Sequence, residues 1–300
     1  MELATESRLE QAEGLDTLSP VAILSMLHEG QMNAAGVVAQ SMPEIAQAAE
    51  LLSRTLTNGG NIFYAAAGSS ALMALADCLE LPGTFGIHNS RLKILIAGGA
   101  DSLTDMVGNT EDDAAQAKAD TRDANFTSAD CLICISASGT TPYAVGAFDA
   151  AKQIGAKIIS IANNPDTPIS NGADVAIFLN TPPEVIPGST RLGAATAQKI
   201  TLNMMSTLMA IHMGHVFDGY MVNVRADNAK LVQRACGIIC NITGCTSDEA
   251  QKYLDNSDGS VKLAVMLASG VPNIVAANEI LESNGYKLRP SLSDLRGPRP

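Results

Sequence analysis

Five short apolar runs punctuate the chain at intervals that leave room for one helix each: residues 61–67, 92–96, 131–136, 157–162 and 175–179. They are rich in β-branched and small apolar residues on both alternating positions, the pattern of strands buried on both faces of a parallel sheet. Each ends in a turn signal, Gly68-Ser69-Ser70 after the first, Ala97-Gly-Gly99 after the second, Asn163-Asn-Pro165 after the fourth and Asn180-Thr-Pro-Pro183 after the fifth. This rhythm predicts an α/β fold with a doubly wound sheet of five parallel strands and crossover helices. Residues 42–56 read as an amphipathic helix, with Ile45, Ala48, Ala49 and Leu52 at helical spacing and Asn58-Gly-Gly60 as its stop. Gly188-Ser-Thr-Arg191 leads into a Thr- and Met-rich helix running to about Met213, with so little charge that it must be buried in the core or against a second subunit. From about Asn228 strand patterns stop. Helix 231–243, the C-cap Gly244 and an N-cap at Thr246 or Ser247 with Glu249 behind it predict a small helical bundle. The expected domains are 1–225 (with N-terminal helices) and 226–288, followed by a Pro-rich tail at 289–300.

In doubly wound sheets ligands sit beyond the carboxyl ends of the strands. There the third run breaks into Ser136-Ala-Ser-Gly-Thr-Thr-Pro-Tyr143, and Pro142 suits the first turn of a helix whose free N–H groups favour an anion. The turn at Ser69 and Ser70, followed by a helix opening at Ala71, repeats the design. Two hydroxyl-rich strand-to-helix turns predict a sugar-phosphate site. The formal charge of -12 with few basic clusters excludes nucleic acid as a partner. No apolar run approaches the roughly 20 residues of a membrane span, and the N-terminus lacks a basic start followed by an apolar stretch, so a cytoplasmic protein is expected.

Two carboxylates stand out by context. Glu80 closes the helix after the first hydroxyl turn, flanked by Leu79 and Leu81 and followed by Pro82, where the helix should end. Apolar neighbours would raise its pKa and suit it to proton donation; the plainer reading is a solvated helix-end acid. Glu111, in Gly108-Asn-Thr-Glu-Asp-Asp113, stands where acids commonly serve a helix N-terminus, a role equally open to Asp112 and Asp113. Cys131 and Cys134 lie inside one strand, three apart and so on opposite faces, which makes them buried packing residues rather than a redox or zinc pair. Cys236 and Cys240 share a helix face in the same role. The four histidines, His212 and His215 among them, form no metal set, and no P-loop lysine or Gly-x-Ser-x-Gly elbow occurs.

Taken in order, Thr5-Glu6, Ala67-Gly-Ser-Ser70, Glu80-Leu-Pro-Gly-Thr-Phe-Gly86, Ile96-Ala-Gly-Gly99, Thr110-Glu-Asp112, Ser136-Ala-Ser-Gly-Thr-Thr-Pro-Tyr143, Gly188-Ser-Thr-Arg191, Thr196-Ala-Gln-Lys199, Leu202-Asn-Met204 and Thr243-Gly-Cys245 resemble the N-acetylmuramic acid 6-phosphate etherases, which have the sugar isomerase (SIS) fold. The resemblance spans residues 5 to about 270. It implies a five-stranded SIS-type sheet, a small C-terminal helical domain and a homodimer with sites at the subunit interface. It also implies a cytoplasmic role in amino-sugar metabolism and cell-wall recycling. By this resemblance Glu111 is the base that removes the C2 proton of the ring-opened sugar, and Glu80 is the acid that protonates the C3 ether oxygen as lactate leaves. Ser69, Ser70, Ser136, Ser138, Gly139, Thr141 and Arg191 would bind sugar and phosphate, with no metal or organic cofactor. The chain departs from the family at Ala71 and Thr140, where relatives carry Arg, and at Gly193, where they carry Lys. Each lost charge-assisted hydrogen bond is worth roughly 1.5 to 3 kcal/mol. Three functions stay open on these residues: an etherase-type lyase, a non-catalytic sugar-phosphate sensor, and an aldose-ketose isomerase.

Overall fold

The computed structural model describes residues 3–103, 108–224 and 229–295. The chain divides into two compact units, Met1–Cys78 with Asn89–Leu208, and Leu79–His88 with Met209–Pro300. In the first unit, α1 (Pro20–Val37) and α2 (Met42–Thr57) precede the sheet. Then come β1 (Ile62–Ala66), α3 (Gly68–Phe85), β2 (Leu92–Ile96), α4 (Ala114–Asp123), β3 (Cys131–Ser136), α5 (Pro142–Ile154), β4 (Lys157–Ala162), β5 (Val175–Phe178) and α6 (Gly193–His212), the last residues of α3 and of α6 being counted with the second unit. All five strands are parallel, in the order β2-β1-β3-β4-β5. The predicted strand positions hold to within a residue at each end because β1 and β3 are wholly buried and their sequences are unbroken apolar runs.

On one face of the sheet, Phe63, Ala65, Leu132, Cys134 and Ile158 pack with Tyr143, Ala147 and Phe148 of α5 and with Phe126, whose ring meets Phe63 edge-on at 4.6 Å. A fully buried aliphatic or aromatic side chain here stabilises by roughly 1.5 to 3 kcal/mol. All six cysteines are free. Cys134 belongs to this cluster and its thiol reaches the Ala144 carbonyl at 3.3 Å, while the equally buried Cys131 does not, as alternation along one strand requires. Burial pushes both thiols well above their usual range, which suits packing residues rather than nucleophiles.

The second unit holds a two-residue hairpin, β6 (Val216–Phe217) and β7 (Tyr220–Met221), and five helices among the described residues: α7 (Ala229–Thr243), α8 (Ser247–Asn256), α9 (Val261–Ala268), α10 (Ile274–Ser283) and α11 (Leu288–Leu295). The predicted capping box is present: Thr246 accepts from Glu249 N–H, and the Glu249 carboxylate accepts from Thr246 N–H. Residues 289–295 are not tail but most of α11, because Leu288 and Leu292 fall on one helical face and join the bundle core. The expected boundary at 225–226 and residues 296–300 of the expected tail lie outside the described residues. Helix α3 does not stop at Pro82. It runs to Phe85, where Gly86 N–H closes on the Pro82 carbonyl and Asn223 Nδ2 donates to the Phe85 carbonyl at 2.9 Å. No helix among the described residues is long and apolar enough to cross a membrane.

Candidate functional site

The strand order puts the topological switch between β1, whose connection leads outward to β2, and β3, whose connections lead the other way to β4 and β5. In open α/β sheets that crevice takes the ligand. Ala66 and Ile135 are register partners, so the chain leaves β1 and β3 side by side on the carboxyl edge and enters the two hydroxyl-rich segments there.

After β1, helix α3 starts at Gly68 rather than at Ala71: Ala71 N–H already bonds back to the Ala67 carbonyl at 3.2 Å. Ser69 and the buried Ser70 thus stand in the first helical turn. Gly68 has φ +53°, and a Cβ there would lie 2.7 Å from Glu111 Oε1. The missing side chain lets the Glu111 carboxylate lie over the helix start. Glu111 reaches it from a short 3-10 turn, Gly108–Asp112, while Asp113 takes the ordinary capping role of α4 by accepting Gln116 N–H at 2.8 Å. Of the three neighbouring acids, the geometry singles out Glu111. Burial, and then the charge of Asp112, raise its pKa above the usual carboxylate range.

After β3, the buried Ser136 hydroxyl pairs with Thr141 Oγ1 at 2.8 Å and accepts Gly139 N–H at 3.0 Å. Ser138 Oγ lies 3.3 Å from Ser136 Oγ and 3.4 Å from Thr141 Oγ1, and accepts from Thr140 N–H and hydroxyl. Four predicted site residues, Ser136, Ser138, Gly139 and Thr141, therefore form one cluster at the start of α5. Pro142 occupies its first turn as expected, and Thr141 makes no side-chain capping bond, which leaves the turn open to an external anion.

Arg191 is exposed on the turn before α6 and makes no ion pair among the described residues. Glu184, which the sequence did not single out, is buried behind this turn and caps α6 through Gly193 N–H (2.9 Å) and Ala194 N–H (2.8 Å). The same packing crowds one of the missing-cation positions. A Cβ at Gly193 would meet Ala34 Cβ at 3.0 Å and Glu184 Oε2 at 3.1 Å. Ala71 is only 1% exposed, so a long cation there would point into the core; Leu72 is the outward residue. Thr140, in contrast, is exposed at the tip of its loop.

Glu80 lies on the segment of α3 that belongs to the second unit. It is exposed, and Leu79 beside it is 68% exposed, so the apolar enclosure expected around its carboxyl is not found in the single chain. A cleft of about 580 Å³ between β2 and α4 is lined by Asp113, Asp120 and Asp123, charges that repel an anionic ligand.

Comparison with known proteins bears on the family and the fold. A family model described as SIS domain matches residues 27–163. The fold resembles a phosphoheptose isomerase from Francisella tularensis, with a TM-score of 0.52 and 18% identity over 65% of this chain and 100% of that one. The chain is 37% identical to an N-acetylmuramic acid 6-phosphate etherase of Pectobacterium atrosepticum over 97% of its length and 96% of the relative's. It is 39% identical to N-acetylmuramic acid 6-phosphate etherase 2 of Bacillus licheniformis over 94% and 95%. With a SIS domain built on this sheet and similarity running nearly end to end, the chain belongs to the N-acetylmuramic acid 6-phosphate etherase family.

Proposed function

We propose that this protein is a cofactor-independent carbon–oxygen lyase that cleaves the lactyl ether of N-acetylmuramic acid 6-phosphate. The observation that carries the reading is Glu111, lifted in pKa and laid over Gly68 at the start of α3, in a chain that matches etherases along almost its whole length. The Ser136 cluster, Ser69, Ser70 and Arg191 hold the phosphate and sugar. Glu111 takes the C2 proton of the open-chain aldehyde, whose carbonyl accepts the electron pair and so supplies the electron sink. Glu80 protonates the C3 oxygen as the bond to C3 breaks and lactate departs. Water then adds to C3 of the unsaturated aldehyde and a proton returns to C2, giving N-acetylglucosamine 6-phosphate.

The working form is a homodimer, and the residues that support it are on α1. Val21 is 73% and Leu24 64% exposed on a helix whose only charged or titratable residues are His28 and Glu29. In a chain of net charge -12, a helix with so little charge and these exposed apolar residues suits contact with a second copy. The second copy would also supply the enclosure that Glu80 lacks in the single chain. The role lies in cytoplasmic amino-sugar recycling.

Incubation with N-acetylmuramic acid 6-phosphate followed by mass spectrometry tests the reaction. Lactate release is expected. Unchanged ligand with a raised melting temperature would replace the lyase with a sensor, and a product of unaltered mass but different retention would replace it with an isomerase.

A further inference from the structure

We propose that Asn164 is a positioning residue that locks the two segments assigned to anion binding, residues 136–141 and 188–191, to each other through the N-terminal residues Ala4 and Thr5. The proposal rests on the reading that those segments bind the sugar phosphate. Asn164 is 2% exposed in the loop that leaves β4. Its Oδ1 accepts Ala4 N–H at 2.7 Å, and its Nδ2 donates to the Ala137 carbonyl at 3.0 Å and to Thr5 Oγ1 at 3.1 Å. Only this amide orientation works, since the flipped one would set an NH2 against Ala4 N–H and an oxygen against the Ala137 carbonyl.

Ala137 stands between Ser136 and Ser138, so the hydrogen bond to its carbonyl fixes the backbone that carries both hydroxyls. On the other side, the Thr5 carbonyl accepts Gly188 N–H at 3.0 Å. Glu6 Oε2 lies 3.1 Å from the Cβ that Gly188 lacks, and Gly188 has φ +76°. Gly188 opens the turn that presents Arg191. A single buried amide thus reaches the hydroxyl cluster directly and the arginine turn through Thr5. Its neighbour Asn163 reinforces the first contact, its N–H also bonding the Ala137 carbonyl at 3.0 Å while its side chain is engaged by Gln198 and Thr181. Buried polar groups held this way are costly to leave unpaired, so the register of the two segments is set jointly.

The test is a double-mutant cycle on binding of N-acetylglucosamine 6-phosphate, measured by calorimetry on the full chain. Asn164→Asp keeps the shape and the acceptor for Ala4 but turns an oxygen toward the Ala137 carbonyl. Asn164→Asp and Arg191→Ala are each expected to weaken binding tenfold or more, and the double variant to bind within threefold of Asn164→Asp alone, because the first change already misplaces the arginine. Should Asn164→Asp fail to fold, Thr5→Val, which deletes only the hydroxyl acceptor, takes its place in the cycle. Wild-type affinity in a folded Asn164→Asp or Thr5→Val, or losses that multiply in the double variant, would overturn the proposal. Wild-type protein that binds the sugar phosphate yet releases no lactate would defeat the lyase reading and leave this one standing. Wild-type protein that binds none would defeat both.

Discussion

A carboxylate can abstract a carbon-bound proton only in its charged form, and it is a stronger base the higher its pKa lies below the working pH. Burial and Asp112 raise Glu111 in that direction. The activity limb it governs should fall as pH drops through a pKa above the usual carboxylate range, and kcat/KM measured against pH checks this. Glu111→Gln should abolish exchange of the C2 proton with solvent deuterium and lower lactate release by roughly 10²- to 10⁴-fold while sugar-phosphate binding survives. Undiminished exchange in that variant would remove it as the base. Gly68→Ala tests the same placement from the other side. A methyl group 2.7 Å from Glu111 Oε1 on a left-handed residue must displace the carboxylate, so kcat should drop at least tenfold in a protein that still folds. The hydroxyls at 69, 70, 136, 138 and 141 were legible in the sequence because a strand-to-helix turn is a local feature. Asn164 and Glu184 were not, since their partners lie 27 or more and 9 or 10 residues away and nothing local distinguishes them from ordinary loop residues.

At the scale of elements, the loop after β3 is held by a close approach rather than by its own bonds alone. A Cβ on Gly139 would sit 2.3 Å from Thr167 Cβ, and Gly139 has φ +73°. Gly139→Ala should therefore cost about 1 to 3 kcal/mol of stability and displace the hydroxyl cluster, lowering both the melting temperature and the affinity for inorganic phosphate. Retention of both would show that the loop can give way. Strands and the amphipathic α2 were readable because period and burial coincide along them. Helix α1 was expected only as one of the N-terminal helices, without bounds: Ala34 is its one buried residue, so no core-facing stripe marks it. Helix α3 outran the proline that should have ended it because Asn223, far along the chain, accommodates its last turn. The hairpin at Val216–Phe217 and Tyr220–Met221 is too short to leave a pattern.

For the whole molecule, the second unit carries a charge arrangement that sets its response to acid. His215 is held down to about 4 by burial and by Lys262, against a hydrogen bond to the Phe85 backbone, and its Nδ1 has no partner among the described residues. A histidine depressed on folding contributes stability that is complete above its unfolded pKa of about 6.5 and is lost as pH falls toward 4, up to about 3 kcal/mol in full. Melting temperature should decline over that window, and His215→Phe should flatten the decline; an unchanged slope would exclude this residue as its source. Lys262, buried and held down to about 8 by desolvation, is charged at neutral pH at a cost, so Lys262→Met should raise the melting temperature there. Self-association belongs to this scale as well. Leu24→Glu should convert a dimer into a monomer in sedimentation, and a dimer that persists would move the interface off α1. The sequence by itself determined the five-stranded parallel sheet and its two hydroxyl-rich turns, because alternation, run length and turn chemistry act over a few residues. Only the tertiary structure decided which of three adjacent acids leans on Gly68, that Ala71 is buried and Gly193 closely approached by Ala34 and Glu184, and that Asn164 ties two distant loops together. Those outcomes depend on close approaches between segments far apart in the chain, and a linear pattern carries no distances.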